Sequence, residues 1–254
     1  MAQTADNPGV VVIIPTRYAS TRFPGKPLIK VGGMTMIERV YRQAQKAKNI
    51  NRVVVATDDD RIAQVVESFG GQYIMTRDDH PTGTDRLAEV VSANPDMKII
   101  INVHGDEPLI DPAAIEAVTR PLIEDSNVEM STIAFRINGP AEAELKTLVK
   151  VVCDRAGFAM YFSRLPIPFS RNQSHNSEVE RLGHSGIYGY TRECLLKLAA
   201  LKPTPLEQSE TLEQLRALEN GIKIKVMRFE TRGLAIDVPE DVAKVEAALK
   251  LLRV

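Results

Sequence analysis

Neither sign of charge predominates in this chain: 32 lysines and arginines face 33 acids, for a formal net charge of −1. That balance lacks the broad electrostatic footprint that nucleic acid or an anionic membrane requires, so neither is expected as a partner. Cysteine is equally sparse. Cys153 and Cys194 stand in apolar contexts without CxxC spacing, which favours two buried thiols over a disulfide. No apolar run reaches membrane-spanning length and no secretory signal is recognisable, which makes the cytoplasm the expected location; residues 1–8 read as a loose tail. Internal repeats are absent, and no stretch is rich enough in Gly, Ser or Pro to act as a linker. A single domain over residues 1–254 follows, with 44% hydrophobic and 26% charged residues to build core and surface.

What is present first is alternation. Residues 10–14, 53–57, 72–75 and 99–103 are short apolar runs of strand character. Between them Met36, Ile37, Val40, Tyr41 and Ala44 recur at helical spacing, as do Ile62, Val65, Val66 and Phe69 before the stop at Gly70-Gly71. Pro112 opens another helix, where its fixed φ is suited. Strand–helix alternation predicts a mostly parallel sheet wrapped by helices. The second half is less regular. Strands are expected at 148–152, 159–163, 187–190 and 222–229, and helices at 195–201, 206–219 and 239–252. Residues 165–169 carry two prolines and read as extended chain, and 171–180 as a polar loop.

Chemistry concentrates in the loop after the first strand. From Pro15 to Lys30 lie four cations, Arg17, Arg22, Lys26 and Lys30, and no acid. Its prolines and Gly25 exclude a regular helix, and Ser20 and Thr21 add hydroxyl donors. A cationic turn at the carboxyl end of a strand suits a polyphosphate. The spacing is neither a Walker P-loop nor a dinucleotide fingerprint, and a solvated basic loop is the alternative.

Two acidic segments accompany it. In Asn102-Val103-His104-Gly105-Asp106-Glu107-Pro108 a strand-end carboxylate is placed to hold Mg²⁺ against phosphate oxygens, a task needing only one or two carboxylates. A polar turn capped by Asp106 is the plainer reading. Asp237, in Ala-Ile-Asp-Val-Pro-Glu-Asp, is either a helix-start signal or a second metal carboxylate. Residues 76–86, with Arg77, Thr82, Gly83 and Thr84, form a turn-rich loop dense in hydrogen-bonding groups, or a capped helix start.

These segments resemble the 3-deoxy-manno-octulosonate (Kdo) cytidylyltransferase family. The matching stretches are Arg-Tyr-Ala-Ser-Thr-Arg-Phe-Pro-Gly-Lys-Pro-Leu from Arg17, the Gly105-Asp106-Glu107-Pro108 segment, Tyr161-Phe162-Ser163-Arg164, His184-Ser185-Gly186-Ile187-Tyr188-Gly189-Tyr190 and the Leu212-Glu213-Gln214-Leu215-Arg216 helix. Together they run over nearly the whole chain. The resemblance implies an α/β, Rossmann-like nucleotidyltransferase fold: a mostly parallel mixed sheet flanked by helices, with a smaller α+β excursion over roughly residues 150–220 that completes the sugar site and dimerises.

It further implies that Pro15, Arg17, Ser20, Arg22, Lys26, Arg77, Thr82, Gly83, Thr84, His104 and Asp106 bind the nucleotide. Arg164 would pair with the sugar carboxylate, and His104, His184, Tyr188, Glu213 and Gln214 would hold hydroxyls. Asp106 and Asp237 would carry Mg²⁺, and with Arg17, Arg22 and Lys26 make up the catalytic set. The implied reaction joins CTP and Kdo into CMP-Kdo and pyrophosphate, a step of lipopolysaccharide biosynthesis, by in-line attack of the anomeric hydroxyl on the α-phosphorus. Positioning and charge stabilisation carry it, without a covalent nucleophile. His104 departs from the family's glutamine, Ser185 from its leucine and Val238 from its threonine. A related acceptor, an 8-amino or sialic acid, is thereby the alternative substrate, and a non-catalytic nucleotide-binding protein of the same fold the alternative class. Retention of both Asp106 and Asp237 weighs against the second.

Overall fold

The computed structural model describes residues 9–19, 23–171, 180–230 and 232–252. Val10–Thr16 (β1) sits at the centre and shows why the sheet forms. Val10, Val12 and Ile14 enter one apolar cluster, while Val11 and Ile13 enter the other. Successive side chains of a strand point to opposite faces, so an unbroken β-branched run is buried on both.

Lys30–Val31 (β2) and Met34–Thr35 (β3) form a small hairpin before helix Met36–Ala44 (α1). Arg52–Thr57 (β4), Asp60–Ser68 (α2), Tyr73–Met75 (β5), Gly83–Ala93 (α3), Ile99–Asn102 (β6) and Pro112–Glu124 (α4) continue the expected alternation. Met130–Arg136 (β7), Pro140–Ala143 (α5), Lys150–Cys153 (β8), Ala159–Ser163 (β9) and Leu182–Thr191 (β10) follow. Arg192–Ala200 (α6), Pro205–Glu210 (α7), Gln214–Glu219 (α8), Ile224–Arg228 (β11) and Asp241–Leu252 (α9) complete the chain.

The main sheet runs β11-β7-β10-β6-β1-β4-β5, with β8 on β10 and β9 on β8. The pairs β1–β4, β1–β6, β4–β5 and β11–β7 are parallel, and β10 runs antiparallel to both β6 and β7. The mostly parallel mixed sheet is as expected. Helices α1, α2 and α4 cover one face through Ile37, Ile62 and Ile115, and α3, α6 and α8 the other through Leu87, Leu195 and Leu215.

Caps open the helices that follow β4, β5 and β6. Asp59 accepts from the Arg61 N–H at 3.0 Å, Asp111 from Ala113 at 2.9 Å, and Thr82 closes a reciprocal box with Asp85. Three helix N-termini, of α2, α3 and α4, therefore open on the carboxyl side of the sheet, where ligands of open α/β sheets bind.

Several expectations change. β7 carries no strand signal in the sequence reading, and β10 is longer than the 187–190 expected. The single helix over 206–219 is two helices, because Thr211 takes a left-handed φ of 54° between them. Both cysteines are free, and burial pushes the Cys194 thiol up to about 12. Among the described residues no helix is long and apolar enough to cross a membrane.

Candidate active site

A cleft of about 730 Å³ opens at the carboxyl ends of β1 and β6. One wall is built by Pro15 at the end of β1, Arg17 just after it, Lys26, Thr82, Gly83 and Thr84 at the start of α3, and His104 and Asp106 after β6. The other carries His184 and Tyr188 of β10 with Glu213 and Gln214 at the start of α8; Asp237 closes the rim. Segments far apart in sequence thus converge. Ser20 and Arg22 lie outside the described residues. Gly105 is required where β6 ends: a Cβ there would stand 2.8 Å from Thr16 Oγ1.

Lys26 begins a short 3₁₀ turn entered through Gly25, whose φ of 70° is left-handed. Its ammonium donates to Asp106 Oδ2 at 2.7 Å and to the Ile236 carbonyl at 2.8 Å, and lies 3.8 Å from Asp237 Oδ1. Two carboxylates therefore converge on one cation. Asp106 binds Lys26, and at the start of the last helix Asp241 accepts from the N–H groups of Asp237 and Val238 at 3.2 and 3.3 Å. Two converging carboxylates at the rim of the cleft fit Mg²⁺, which takes few protein ligands and keeps water and substrate oxygens. No cluster of three or more His, Cys, Asp or Glu suited to a metal occurs among the described residues.

Beneath this rim two buried oxygens, Asn102 Oδ1 and Glu107 Oε2, have no hydrogen-bond partner among the described residues. Desolvation raises the Glu107 pKa and the charge of Asp106 adds to this, while His104 opposes it.

The first wall is pinned from behind. Arg86, nearly buried, donates to Asp58 Oδ2 at 2.8 Å and also bonds Thr76, fixing the 76–86 loop to the end of β4. Arg77 lies outside the cleft. Its side chain is 68% exposed, 3.4 Å from Asp79 and 4.0 Å from Glu89.

On the second wall, His184 Nε2 lies 2.9 Å from Thr132 Oγ1, and its ring packs edge-on to Phe162 and tilts onto Tyr188. Desolvation, with His104 nearby, lowers the His184 pKa to about 3. Burial holds the phenols of Tyr188 and Tyr190 well above their ordinary value. It also raises Glu213, against hydrogen bonds from Thr84 and Thr82 that pull it down. Uncharged imidazole and phenols beside a buried carboxyl make a surface for hydroxyl groups. Arg164 stands apart from it. Its guanidinium donates to the carbonyls of Glu210, Thr211 and Lys146 at 2.8, 3.2 and 3.3 Å, tying β9 to the end of α7.

Sequence reasoning passed over Asn102, Glu107, Arg86, Tyr190 and Thr132. The first four lie inside or at the end of segments singled out for other residues. Thr132 had no signal, because its strand had none.

The family profile described as cytidylyltransferase matches residues 11–224. A 3-deoxy-manno-octulosonate cytidylyltransferase of Syntrophotalea carbinolica is 51% identical over 247 residues, covering 95% of this chain and 98% of that protein. Its counterpart from Myxococcus xanthus is 50% identical over 240 residues, covering 94% and 96%. A solved CMP:2-keto-3-deoxy-manno-octonic acid synthetase in complex with CTP superposes with a TM-score of 0.91 at 41% identity, covering 96% of this chain and 99% of that one. A cytidylyltransferase of Leptospira borgpetersenii, at 18% identity and a TM-score of 0.63 over 96% and 87% of the chains, shares the fold alone.

Proposed function

We infer the reaction from descent and geometry together: the chain belongs to the cytidylyltransferase family, within the 3-deoxy-manno-octulosonate branch formed by its half-identical relatives. It transfers CMP from CTP to the anomeric hydroxyl of Kdo, releasing pyrophosphate. The observation that carries this reading is one cleft with two chemically different walls, Lys26 between Asp106 and Asp237 on one and the uncharged His184–Tyr188 surface on the other.

In this reading the nucleotide lies along Pro15, Arg17, Lys26 and the start of α3, with Arg17 and Lys26 toward its phosphates. Asp106 and Asp237 would hold Mg²⁺, which neutralises charge on phosphate oxygens when bound. His184, Tyr188, Glu213 and Gln214 orient the sugar acid so that its anomeric oxygen meets the α-phosphorus in line. Fixing two substrates in one geometry is itself a large part of the rate. Arg164, already committed to three carbonyls, serves the framework of this wall.

The chain pairs with a second copy, a reading supported by apolar side chains exposed on β9 and beyond it, Met160 at 65%, Leu165 at 58% and Phe169 at 87%. It works in the cytoplasm, where CTP is made. Pyrophosphate release from CTP, Mg²⁺ and Kdo tests the reaction, with 8-amino-Kdo and sialic acid as rival acceptors. Faster turnover of a rival would move the specificity. CTP binding without any release would make this a binding protein.

A further inference from the structure

β10 pairs with β7, but the register slips: Ser185 faces Ile133 and Tyr188 faces Thr132. One step along β7 spans three along β10, so Gly186 and Ile187 bulge out of the ladder beside the cleft. A bulge strands carbonyls that the ladder would have satisfied, and buried carbonyls need donors. Thr132, fully buried, supplies one. Its Oγ1 lies 2.8 Å from the Ile187 carbonyl and 3.2 Å from that of Ser185.

Neither carbonyl can donate, so the single hydroxyl proton is spent on the bulge. The same oxygen lies 2.9 Å from His184 Nε2. With its proton given away, the hydroxyl can only accept there. Nε2 must carry the hydrogen. In a neutral imidazole, Nδ1 then keeps a lone pair and nothing to donate. The depressed pKa of His184, about 3, keeps the ring neutral across the working range.

We propose that Thr132 is a positioning residue that fixes His184 as the Nε2–H tautomer, so that His184 Nδ1 accepts a hydrogen bond from a hydroxyl of the sugar acid. The proposal rests on the reading of this wall as the sugar side. Recognition by acceptor alone is selective: a group that must itself accept, such as an ether or carbonyl oxygen, would face the lone pair unpaired. The bulge thus links backbone to specificity. Its need for a donor sets the Thr132 proton, and that proton sets the imidazole.

The test uses the full chain with ¹⁵N-labelled histidine, the His184 signal being identified by its loss in His184→Gln. The wild-type spectrum is expected to show Nε2 protonated and Nδ1 bare, unchanged between about pH 6 and 8. Thr132→Val, near-isosteric, should abolish that single-tautomer pattern. It should also raise KM for Kdo by about tenfold with KM for CTP unchanged, and Thr132→Ser should restore both. A wild-type His184 protonated on Nδ1 overturns the proposal and leaves the reaction untouched. So does a Thr132→Val enzyme whose tautomer changes while KM for Kdo does not. Should Thr132→Val fail to fold, the wild-type spectrum and Thr132→Ser still decide. Failure of the wild type to make CMP-Kdo would overturn the sugar-facing half together with the reaction, and a persistent Nε2–H signal would identify that case.

Discussion

At Lys26 three parts of the chain meet. Its ammonium joins the turn after β6, through Asp106, to the segment before α9, through the Ile236 carbonyl and Asp237. The Lys26 side chain is only 12% exposed, and a cation so enclosed needs its acids. Asp106→Asn keeps an acceptor for Lys26 but removes a charge from the place where a metal would sit. It is expected to cut kcat at least about 100-fold with Tm and circular dichroism near wild type. Turnover within a few-fold of wild type would reject Asp106 as a metal ligand, and EDTA should abolish the wild-type activity until Mg²⁺ is returned. Lys26→Ala probes the partner. Calorimetry should show a loss of CTP affinity of about tenfold or more and a much smaller loss for CMP, which lacks the β- and γ-phosphates. Equal losses would place Lys26 away from the triphosphate. Both residues were legible in the sequence, Lys26 from an acid-free cationic turn and Asp106 from its place behind a buried strand. Asp237 was not separable there from a helix-start signal; the structure adds its place on the cleft rim, 3.8 Å from the Lys26 ammonium.

Among the elements, α7 and α8 show what a break achieves. Read as one helix, they would carry Glu213 and Gln214 on a continuous surface. The left-handed Thr211 instead turns the chain so that both residues line the cleft. A buried ion pair spans the break, Arg216 donating to both Glu207 oxygens at 2.8 and 2.5 Å. Burial alone would raise the Glu207 pKa, but the hydrogen bonds from Arg216 and the Thr204 N–H outweigh it and the net shift is downward from 4.5. A depressed carboxylate adds stability that is present above its unfolded pKa and lost as pH falls through its folded one. Glu207→Gln should therefore lower stability at pH 7 by about 2 to 4 kcal/mol, the cost of leaving a buried cation half-paired. Chemical denaturation followed from pH 7 down to about pH 3 should show the gap to wild type closing below about pH 4.5. A gap independent of pH would mean that packing, not charge, joins the two helices. The same scale explains what the sequence hid. β1, β4 and β6 were legible because both faces are apolar. In β7, Ser131 and Thr132 interrupt that pattern, yet both are buried, Ser131 donating to the Val118 carbonyl at 2.6 Å and Thr132 to the bulge. In β10, Gly183 and Gly189 look like breakers. They are close-packing positions, where a Cβ would stand 2.6 Å from Phe135 and from Leu122.

Over the whole molecule, a net charge of −1 leaves anion binding to the few cations of one cleft, and the sheet decides how that cleft responds to the rest of the protein. β10 is shared: it borders β6 of one cleft wall, brings His184 and Tyr188 to the other, and carries β8 and, through it, β9. Met160 on β9, with Leu165 and Phe169 beyond it, exposes the apolar surface proposed to pair two copies. A partner seated there would brace β9 and β8 against β10, and so stiffen the strand that holds the His184–Tyr188 wall while leaving the β1–β6 wall largely alone. Light scattering should give twice the 28.1 kDa chain mass. The double variant Met160→Asp, Phe169→Asp places charges in that face and should return the single-chain mass. If the sheet transmits the bracing, the monomer keeps its affinity for CTP within about twofold while KM for Kdo rises about fivefold or more. A monomer with wild-type KM for both substrates would show that the two cleft walls are rigid without a partner. A variant that remains double in mass would place the contact on another face.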